Sequence, residues 1–560
     1  MSRFDHRKYR PHTRVEKSDR RWPSRRIEAA PIWCSVDLRD GNQALVQPMD
    51  VGRKLRMFEL LTRLGFKEIE VGFPAASQPD FDFVRRLIEG GLIPDDVTVQ
   101  VLTQARPELV DRTYQALAGV RRAIVHVYNS TNPVQREQVF GLDRDGVKAI
   151  AVRGAEAVAA GARRHPNSEW VFQYSPESFS TTELDYAVEV CDAVNAVWQP
   201  FQGQQVILNL PATVESATPN VFADQVEWFC DHLRDREHVT VSVHTHNDRG
   251  CAVAAAELAV MAGADRVEGT LLGNGERTGN MDLITMAMNL YSQGVDPGLD
   301  LSDAAEILDC YSECTRLPVH PRHPWVGELV YTAFSGSHQD AIRKGLARAG
   351  ESGVWQVPYL PIDPRDLGRR YEEVVRVNSQ SGKGGVAHVL ERDHGIPIPR
   401  WLAQEFSPRV QNEAEHSGGE IDSRRIRALF DEAYCDPSPD WIMRGYSLSA
   451  DGDAVEIEAE VGSGKARLRG RGHGAVEALV DALLRQRGIA VEVEHFDEHA
   501  LSAGTDARAM AAVRVRVGSA PGSAVAFGED TTCAALQAVL SAAGAALALD
   551  GRVVGAAVAG

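Results

Sequence analysis

VSVHTHND, residues 241–248, carries two histidines one residue apart at the end of a short apolar run. In an extended strand, residues two apart point to one face, so His244 and His246 project together and can offer two imidazoles to one divalent ion. An isolated His-x-His also fits two polar residues sharing the wet face of a strand. The flanking sequence separates the two readings. The residues before His244 are rich in β-branched types, and Asn247-Asp248-Arg249-Gly250 make a loop before an alanine-rich helical stretch. That is the anatomy of a βα turn.

Outward from this turn, residues 32–290 alternate short β-branched runs with amphipathic helical stretches. The strand candidates are 32–36, 68–71, 97–102, 123–127, 170–174, 205–210, 239–244 and 266–270, with helices between them. Eight such units predict an α/β chain whose catalytic domain, 31–294, is a (β/α)8 TIM barrel with its chemistry at the C-terminal strand ends. The residues following those strands are polar and selective. Strand one leads into Asp37-Leu38-Arg39-Asp40-Gly41, strand four into His126-Val127-Tyr128, strand five into Ser175-Pro176-Glu177 and strand six into Pro211-Ala212-Thr213. Taken singly, Arg39 beside Asp40 reads as a surface ion pair and His126 as a structural group. In a barrel they converge on one mouth, where Asp40, His244 and His246 form a two-His, one-carboxylate set with open positions for substrate and water. After strand eight, Gly273-Asn274-Gly275-Glu276-Arg277-Thr278-Gly279-Asn280 reads as a glycine-rich loop opening a helix, able to cradle an anion.

The totals bound the partners. A chain of 560 residues with formal charge −18 and pI near 5.5 repels nucleic acid and anionic membrane, so neither is expected as a partner. The eight cysteines form no CxxC pair, which argues against a zinc ribbon or a disulfide framework. With no signal-peptide pattern and no bilayer-length apolar run, a cytoplasmic location is expected.

Residues 1–30 are rich in Arg and Lys and read as a flexible arm. Residues 295–425, with proline-rich segments and the polar motifs at 334–339 and 376–385, read as linker subdomains. Residues 426–560 turn to Val, Ala and Gly and contain a degenerate repeat: strands 455–461 and 465–468 before helix 475–487, then strands 513–517 and 523–527 before helix 533–543. Two strand-strand-helix units predict a pseudo-symmetric α+β domain for regulation or assembly.

The motifs DLRDGNQAL (37–45), EVGFP (70–74), HVYNSTNP (126–133), YSPESFS (174–180), NLPATVE (209–215), HTHND (244–248), GNGERTGN (273–280), FSGSHQD (334–340) and RVNSQSGKGG (376–385), in this order, resemble the 2-isopropylmalate synthase family in its long bacterial form. The resemblance spans essentially the whole chain. It implies a metal-dependent acyltransferase of leucine biosynthesis that condenses acetyl-CoA with 3-methyl-2-oxobutanoate and then hydrolyses the thioester. By the same resemblance Asp40, His244 and His246 are the ligands of Mg2+, Mn2+ or Zn2+, with Asn280 close by and K+ as a further activator. Arg39, His126 and Thr213 would bind the oxoacid, with Tyr128 and Ser175 beside them. Glu177 with His338 would be the acid–base pair and Tyr371 a further polar contributor. In the family these last two reach the neighbouring subunit's site, which implies a homodimer. The last domain resembles a leucine-binding regulatory domain, but Gly528-Glu529-Asp530-Thr531-Thr532 replaces a more glycine-rich turn.

Related enzymes on the same barrel take other oxoacids: citramalate synthases use pyruvate, and homocitrate synthases carry an arginine four residues before the equivalent of Glu177. This chain has Gln173 there and apolar Leu102 at the end of strand three, which suits a branched alkyl group. A catalytically silent amino-acid sensor would keep the barrel without needing Arg39, Asp40, Glu177 and both histidines.

Overall fold

The computed structural model describes residues 5–333, 335–349, 353–369, 383–417, 421–436, 439–451, 454–461, 466–501 and 508–549. The chain divides into two units, residues 1–330 with 362–369, and residues 331–361 with 370–560.

The first unit is built on eight parallel strands: β1 (Ile32–Ser35), β2 (Glu68–Gly72), β3 (Thr98–Gln104), β4 (Arg122–Ser130), β5 (Glu169–Glu177), β6 (Val206–Ala212), β7 (Val239–Thr245) and β8 (Arg266–Gly269). Each pairs with the next, and β8 closes on β1 in the register Ile32↔Arg266 to Ser35↔Gly269. Helices cover the outside, so the strands are buried on both faces and read as near-continuous apolar runs rather than alternating ones. The helices start where the sequence supplies caps: Asp50 accepts from Arg53 N before Val51–Leu64, and Asp143 from Gly146 N before Arg144–Arg164.

Inside the barrel, Ile124, Val171 and Ile207 form a small apolar cluster. Two residues further along the same strands stand His126, Gln173 and Asn209, all buried, where many barrels continue with Val, Ile or Leu. The core therefore changes from apolar to polar one layer below the mouth.

The unit reaches beyond 294, the boundary expected for the barrel. Helix Ala304–Thr315 lies along helix Val51–Leu64, with Arg53 donating to Cys314 O at 3.1 Å and Arg63 paired with Glu306 at 2.5 Å. The basic arm is also tied down over residues 17–22. Arg20 makes a two-pronged contact with Asp224 at 2.6 and 2.8 Å, Lys17 donates to Asp231 at 2.7 Å, and the Arg21 and Trp22 amides donate to Glu227. Three of the basic residues that suggested a free arm, Lys17, Arg20 and Arg21, thus meet acids on helix Pro219–His232.

The second unit carries helices Gly336–Leu346, Lys383–His394, Arg400–Ser417 and Ser423–Phe430, then β9 (Met443–Asp451), β10 (Ala454–Val461), β11 (Ala466–Gly472) and helix Ala475–Arg487, then β12 (Val491–Ala500), β13 (Ala509–Val517), β14 (Ala520–Gly528) and helix Thr531–Leu549. The repeat expected as strand-strand-helix is thus strand-strand-strand-helix, in two antiparallel sheets ordered β11-β10-β9 and β12-β13-β14. Both halves use glycine in the same way. A Cβ on Gly470 would collide with Ala478 O and one on Gly522 with Ala542 O, because each helix backbone rests directly on its sheet. Helix Thr531–Leu549 is long and apolar enough to cross a membrane by length and composition alone. Here Leu536, Val539, Leu540 and Leu547 bury it in the core of the repeat.

Candidate metal centre and active site

The chain leaves β1 through a wide π-type turn, Asp37–Gly41, in which the Arg39 and Gly41 amides both donate to Val36 O. Asn274 donates to Gly41 O at 2.8 Å, and a Cβ on Gly41 would stand 3.2 Å from the Thr270 methyl, so the turn is pressed against the loop after β8. This puts Asp40 into the mouth of the barrel opposite β7. Asp40 Oδ2 lies 3.2 Å from His244 Nε2 and 3.8 Å from His246 Nε2, and one donor atom from each of the three residues falls within a 4.8 Å span. All three residues are buried.

Asp40 Oδ1 is occupied, accepting from Arg39 Nη1 at 3.0 Å and Gln43 Nε2 at 2.9 Å. Among the described residues, buried Asp40 Oδ2, His246 Nδ1 and Asn280 Oδ1 have no hydrogen-bond partner. Asp40 Oδ2, without a donor of its own and flanked by the Nε2 atoms of two imidazoles, is apt for a divalent cation. Burial works against the Asp40 carboxylate, but Arg39 and His244 outweigh it and hold its pKa well below the usual carboxylate range. Burial would also lower the His244 pKa, yet the carboxylates of Asp40 and Glu268 on either side of the ring raise it to about 9. His246, with burial and the neighbouring His244 both against its charged form, is pushed down to about 4.

Asn280 reaches this place through the glycine-rich loop, where it forms a bridge with His246. Gly279 has φ +102°, and a Cβ there would collide with Gly273 O. The Gly279 and Asn280 amides donate within the loop, to Glu276 O and Gly273 O, and the following helix Leu283–Ser292 is capped by Asp282, so these groups are not offered to an anion. The glycines let the loop fold tightly around the Asn280 side chain instead.

Asp40, His244 and His246 line a cavity of about 290 Å3 together with Arg39, Phe73, Leu102, His126, Tyr128, Ser175, Glu177 and Thr213 among others. Arg39 is held by Glu70, Nε to Oε2 at 2.5 Å, as well as by Asp40. His126 bridges Glu70 Oε1 at 3.1 Å and Ser175 Oγ at 2.7 Å. Tyr128 OH accepts from Gln104 at 3.4 Å. Glu177 Oε2 accepts from Ser130 Oγ, and Thr213 Oγ1 accepts from Ser178 N at 2.9 Å, where Ser178 takes φ +64°. The first unit thus brings together Arg39, Asp40, Leu102, His126, Tyr128, Ser175, Glu177, Thr213, His244, His246 and Asn280. His338 belongs to the second unit, on helix Gly336–Leu346, where its ring stacks on Tyr359 with centroids 4.0 Å apart. Tyr371 lies outside the described residues.

Beneath the cavity is a polar layer that reading only the strand ends misses. Gln100 donates to Glu70 at 3.0 Å and to Glu268 at 3.1 Å, while Arg266, fully buried, donates to Glu68, Ser242, Glu268 and Gln100. Gln173 donates to Glu268 at 2.8 Å, so it belongs to this layer and not to the cavity wall. The signal was present in the period of two: Glu68-Ile69-Glu70 and Arg266-Val267-Glu268 put charges at inward positions of strands that must be buried.

A closed parallel barrel with an Asp/His/His donor set at the C-terminal rim defines a class of metal-dependent enzymes, and the HMGL-like family matches residues 30–310. The alpha-isopropylmalate synthase post-catalytic domain-like family matches residues 328–391, and the LeuA allosteric (dimerisation) domain matches residues 420–547. The chain is 62% identical over 544 residues to the 2-isopropylmalate synthase of Alcanivorax borkumensis, covering 97% of each chain. It is 56% identical to that of Rhodospirillum rubrum, covering 96% of this chain and 98% of the other, and 53% identical to that of Azotobacter vinelandii, covering 96% and 97%. The chain belongs to the 2-isopropylmalate synthase family.

Proposed function

We propose that the chain condenses acetyl-CoA with 3-methyl-2-oxobutanoate and hydrolyses the thioester, giving 2-isopropylmalate and CoA in the committed step of leucine biosynthesis. The observation that carries this reading is the buried Asp40, His244 and His246 donor set, whose ligand atoms lie within 4.8 Å of one another, in a cavity that Arg39, Leu102 and Phe73 also line.

Asp40, His244 and His246 would hold the divalent ion, Mg2+, Mn2+ or Zn2+, with Asn280 close by and K+ as an activator. The ion, when bound, supplies a Lewis acid that polarises the ketone. The chain's own groups do the rest. Arg39, braced by Glu70 and Asp40, presents its guanidinium edge to the oxoacid carboxylate. Ser175 and His126, already hydrogen-bonded to each other, and Thr213 and Tyr128 orient the oxoacid's polar end. Leu102 and Phe73 pack on its branched alkyl group, where a second carboxylate would find no cation.

The methyl proton of acetyl-CoA is weakly acidic, so its base must be placed against the thioester, and Glu177 with His338 is the proposed pair. The base takes that proton, the methyl carbon bonds to the ketone carbon, and the ketone oxygen is protonated. Water then attacks the thioester and CoA leaves as the thiol. Tyr371 is a further polar contributor. The LeuA allosteric (dimerisation) match over residues 420–547 supports a homodimer under allosteric control; sites completed by the other subunit, leucine as the effector and a cytoplasmic location belong to the same proposed reading.

A panel of 2-oxoacids in a CoA-release assay, with and without chelator and with added leucine, tests the reading. It expects 3-methyl-2-oxobutanoate to be preferred over pyruvate and 2-oxoglutarate, and turnover to stop on chelation; preference for pyruvate would make the chain a citramalate synthase.

A further inference from the structure

His244 touches two carboxylates, one on each ring nitrogen. Nε2 faces Asp40 at 3.2 Å and Nδ1 faces Glu268 Oε2 at 2.9 Å. Every other group on Glu268 is a donor: Arg266 Nη1 at 2.8 Å, Gln173 Nε2 at 2.8 Å and Gln100 Nε2 at 3.1 Å on Oε1, and Asn209 Nδ2 at 3.2 Å on Oε2. Turning any of these three amides over would aim a carbonyl at a buried carboxylate, so the donors are fixed by electrostatics as well as by geometry. An acceptor so enclosed can only accept from His244. Nδ1 must therefore keep its hydrogen, and Nε2, beside Asp40, is the nitrogen that would give up its proton to a cation.

Glu268 in turn has no solvent and depends on Arg266. That guanidinium is fully buried on the first residue of β8 and is spent entirely inside the barrel, on Glu68 at 2.6 Å, Ser242 at 2.8 Å, Gln100 at 2.8 Å and Glu268. Alternating directions along a strand put Arg266 and Glu268 on one face two residues apart, one below the other, so the cation sits directly beneath the carboxylate it steadies. Arg266 does not line the cavity and Glu268 does, and neither belongs to the Asp40, His244 and His246 donor set.

We propose that Arg266 and Glu268 form a buried positioning pair that fixes the tautomer and ring angle of His244, making its Nε2 a preset ligand. The proposal rests on reading Asp40, His244 and His246 as the metal site and extends it to the layer beneath.

The test is Mn2+ affinity of the chelator-treated full-length protein, read as free Mn2+ by electron paramagnetic resonance, with circular dichroism as the fold control. In Glu268→Gln the amide N–H2 is driven away from Arg266, Gln100 and Gln173 towards His244, which favours the opposite tautomer. Affinity should fall by about 10–100-fold. Glu268→Asp keeps the charge and should recover part of the loss. Wild-type affinity in a folded Glu268→Gln protein overturns the proposal. Where that variant does not fold, 15N-histidine spectra of the wild-type protein, assigned with His244→Gln, decide: an Nδ1–H tautomer for His244 supports the pair and an Nε2–H tautomer overturns it. Failure of the metal site itself is distinct, since wild-type protein would then bind no Mn2+.

Discussion

Asp40 has one oxygen committed to Arg39 and Gln43 while the other faces only the imidazoles of His244 and His246 among the described residues, and that asymmetry is what recommends it as a ligand rather than half of an ion pair. The sequence shows the neighbouring opposite charges but not which oxygen is left over. His338→Ala should leave Mn2+ and oxoacid affinity unchanged and lower turnover by about 10²–10⁴-fold, measured by CoA release; unchanged turnover removes it from the mechanism. Asp37, three residues before Asp40, has another role. It is fully enclosed, accepting from Ser35 Oγ at 2.8 Å and from Leu271 N at 3.0 Å, and burial raises its pKa to about 7. A carboxyl whose folded pKa lies above its unfolded value near 4 stabilises the fold fully only below that unfolded value, and the contribution is lost as pH rises through about 7. The unfolding temperature should therefore fall between pH 5 and 8 by more in the wild type than in Asp37→Asn, measured by calorimetry. Parallel curves would contradict this.

Among elements, the eight barrel strands were legible because burial on both faces writes β-branched runs between helical stretches, and the structure moves their ends by only a few residues. β9 and β12 were not legible. β12, VEVEHFDEHA, is mostly exposed and charged, so the apolar signal a strand usually gives is missing. The polar layer escaped for the opposite reason: Glu70, Gln100, Arg266 and Glu268 look like surface residues by type, and only closure of the barrel turns them inward. For the loop after β8, glycine content alone does not say whether a backbone wraps a ligand or its own side chain; here it packs around the Asn280 side chain. Gly279→Ala should cost about 1–3 kcal/mol through its positive φ and its collision with Gly273 O, and should weaken Mn2+ binding by displacing Asn280. At the arm, Arg20→Ala leaves Asp224 with Trp22 Nε1 as its remaining arm partner and should lower the unfolding temperature without changing Mn2+ affinity. An unchanged unfolding temperature would mean the arm contributes nothing to stability.

For the whole molecule, the division into a barrel unit and a unit holding His338 and the repeat is what makes assembly part of the proposed function. If each site takes His338 from the other subunit, mixing inactive His338→Ala and Asp40→Asn proteins after subunit exchange should restore about a quarter of wild-type turnover, because half the dimers are mixed and each has one complete site. No recovery, with exchange verified, would place His338 within its own subunit's site. The central claim is narrower and is tested by Mn2+ titration of the chelator-treated protein beside its Asp40→Asn variant, followed by CoA release with 3-methyl-2-oxobutanoate. Tight wild-type binding that restores turnover, with binding weakened by about two orders of magnitude in the variant, is the expected result. Full turnover in the metal-stripped protein, or equal Mn2+ affinity in the two, would contradict it.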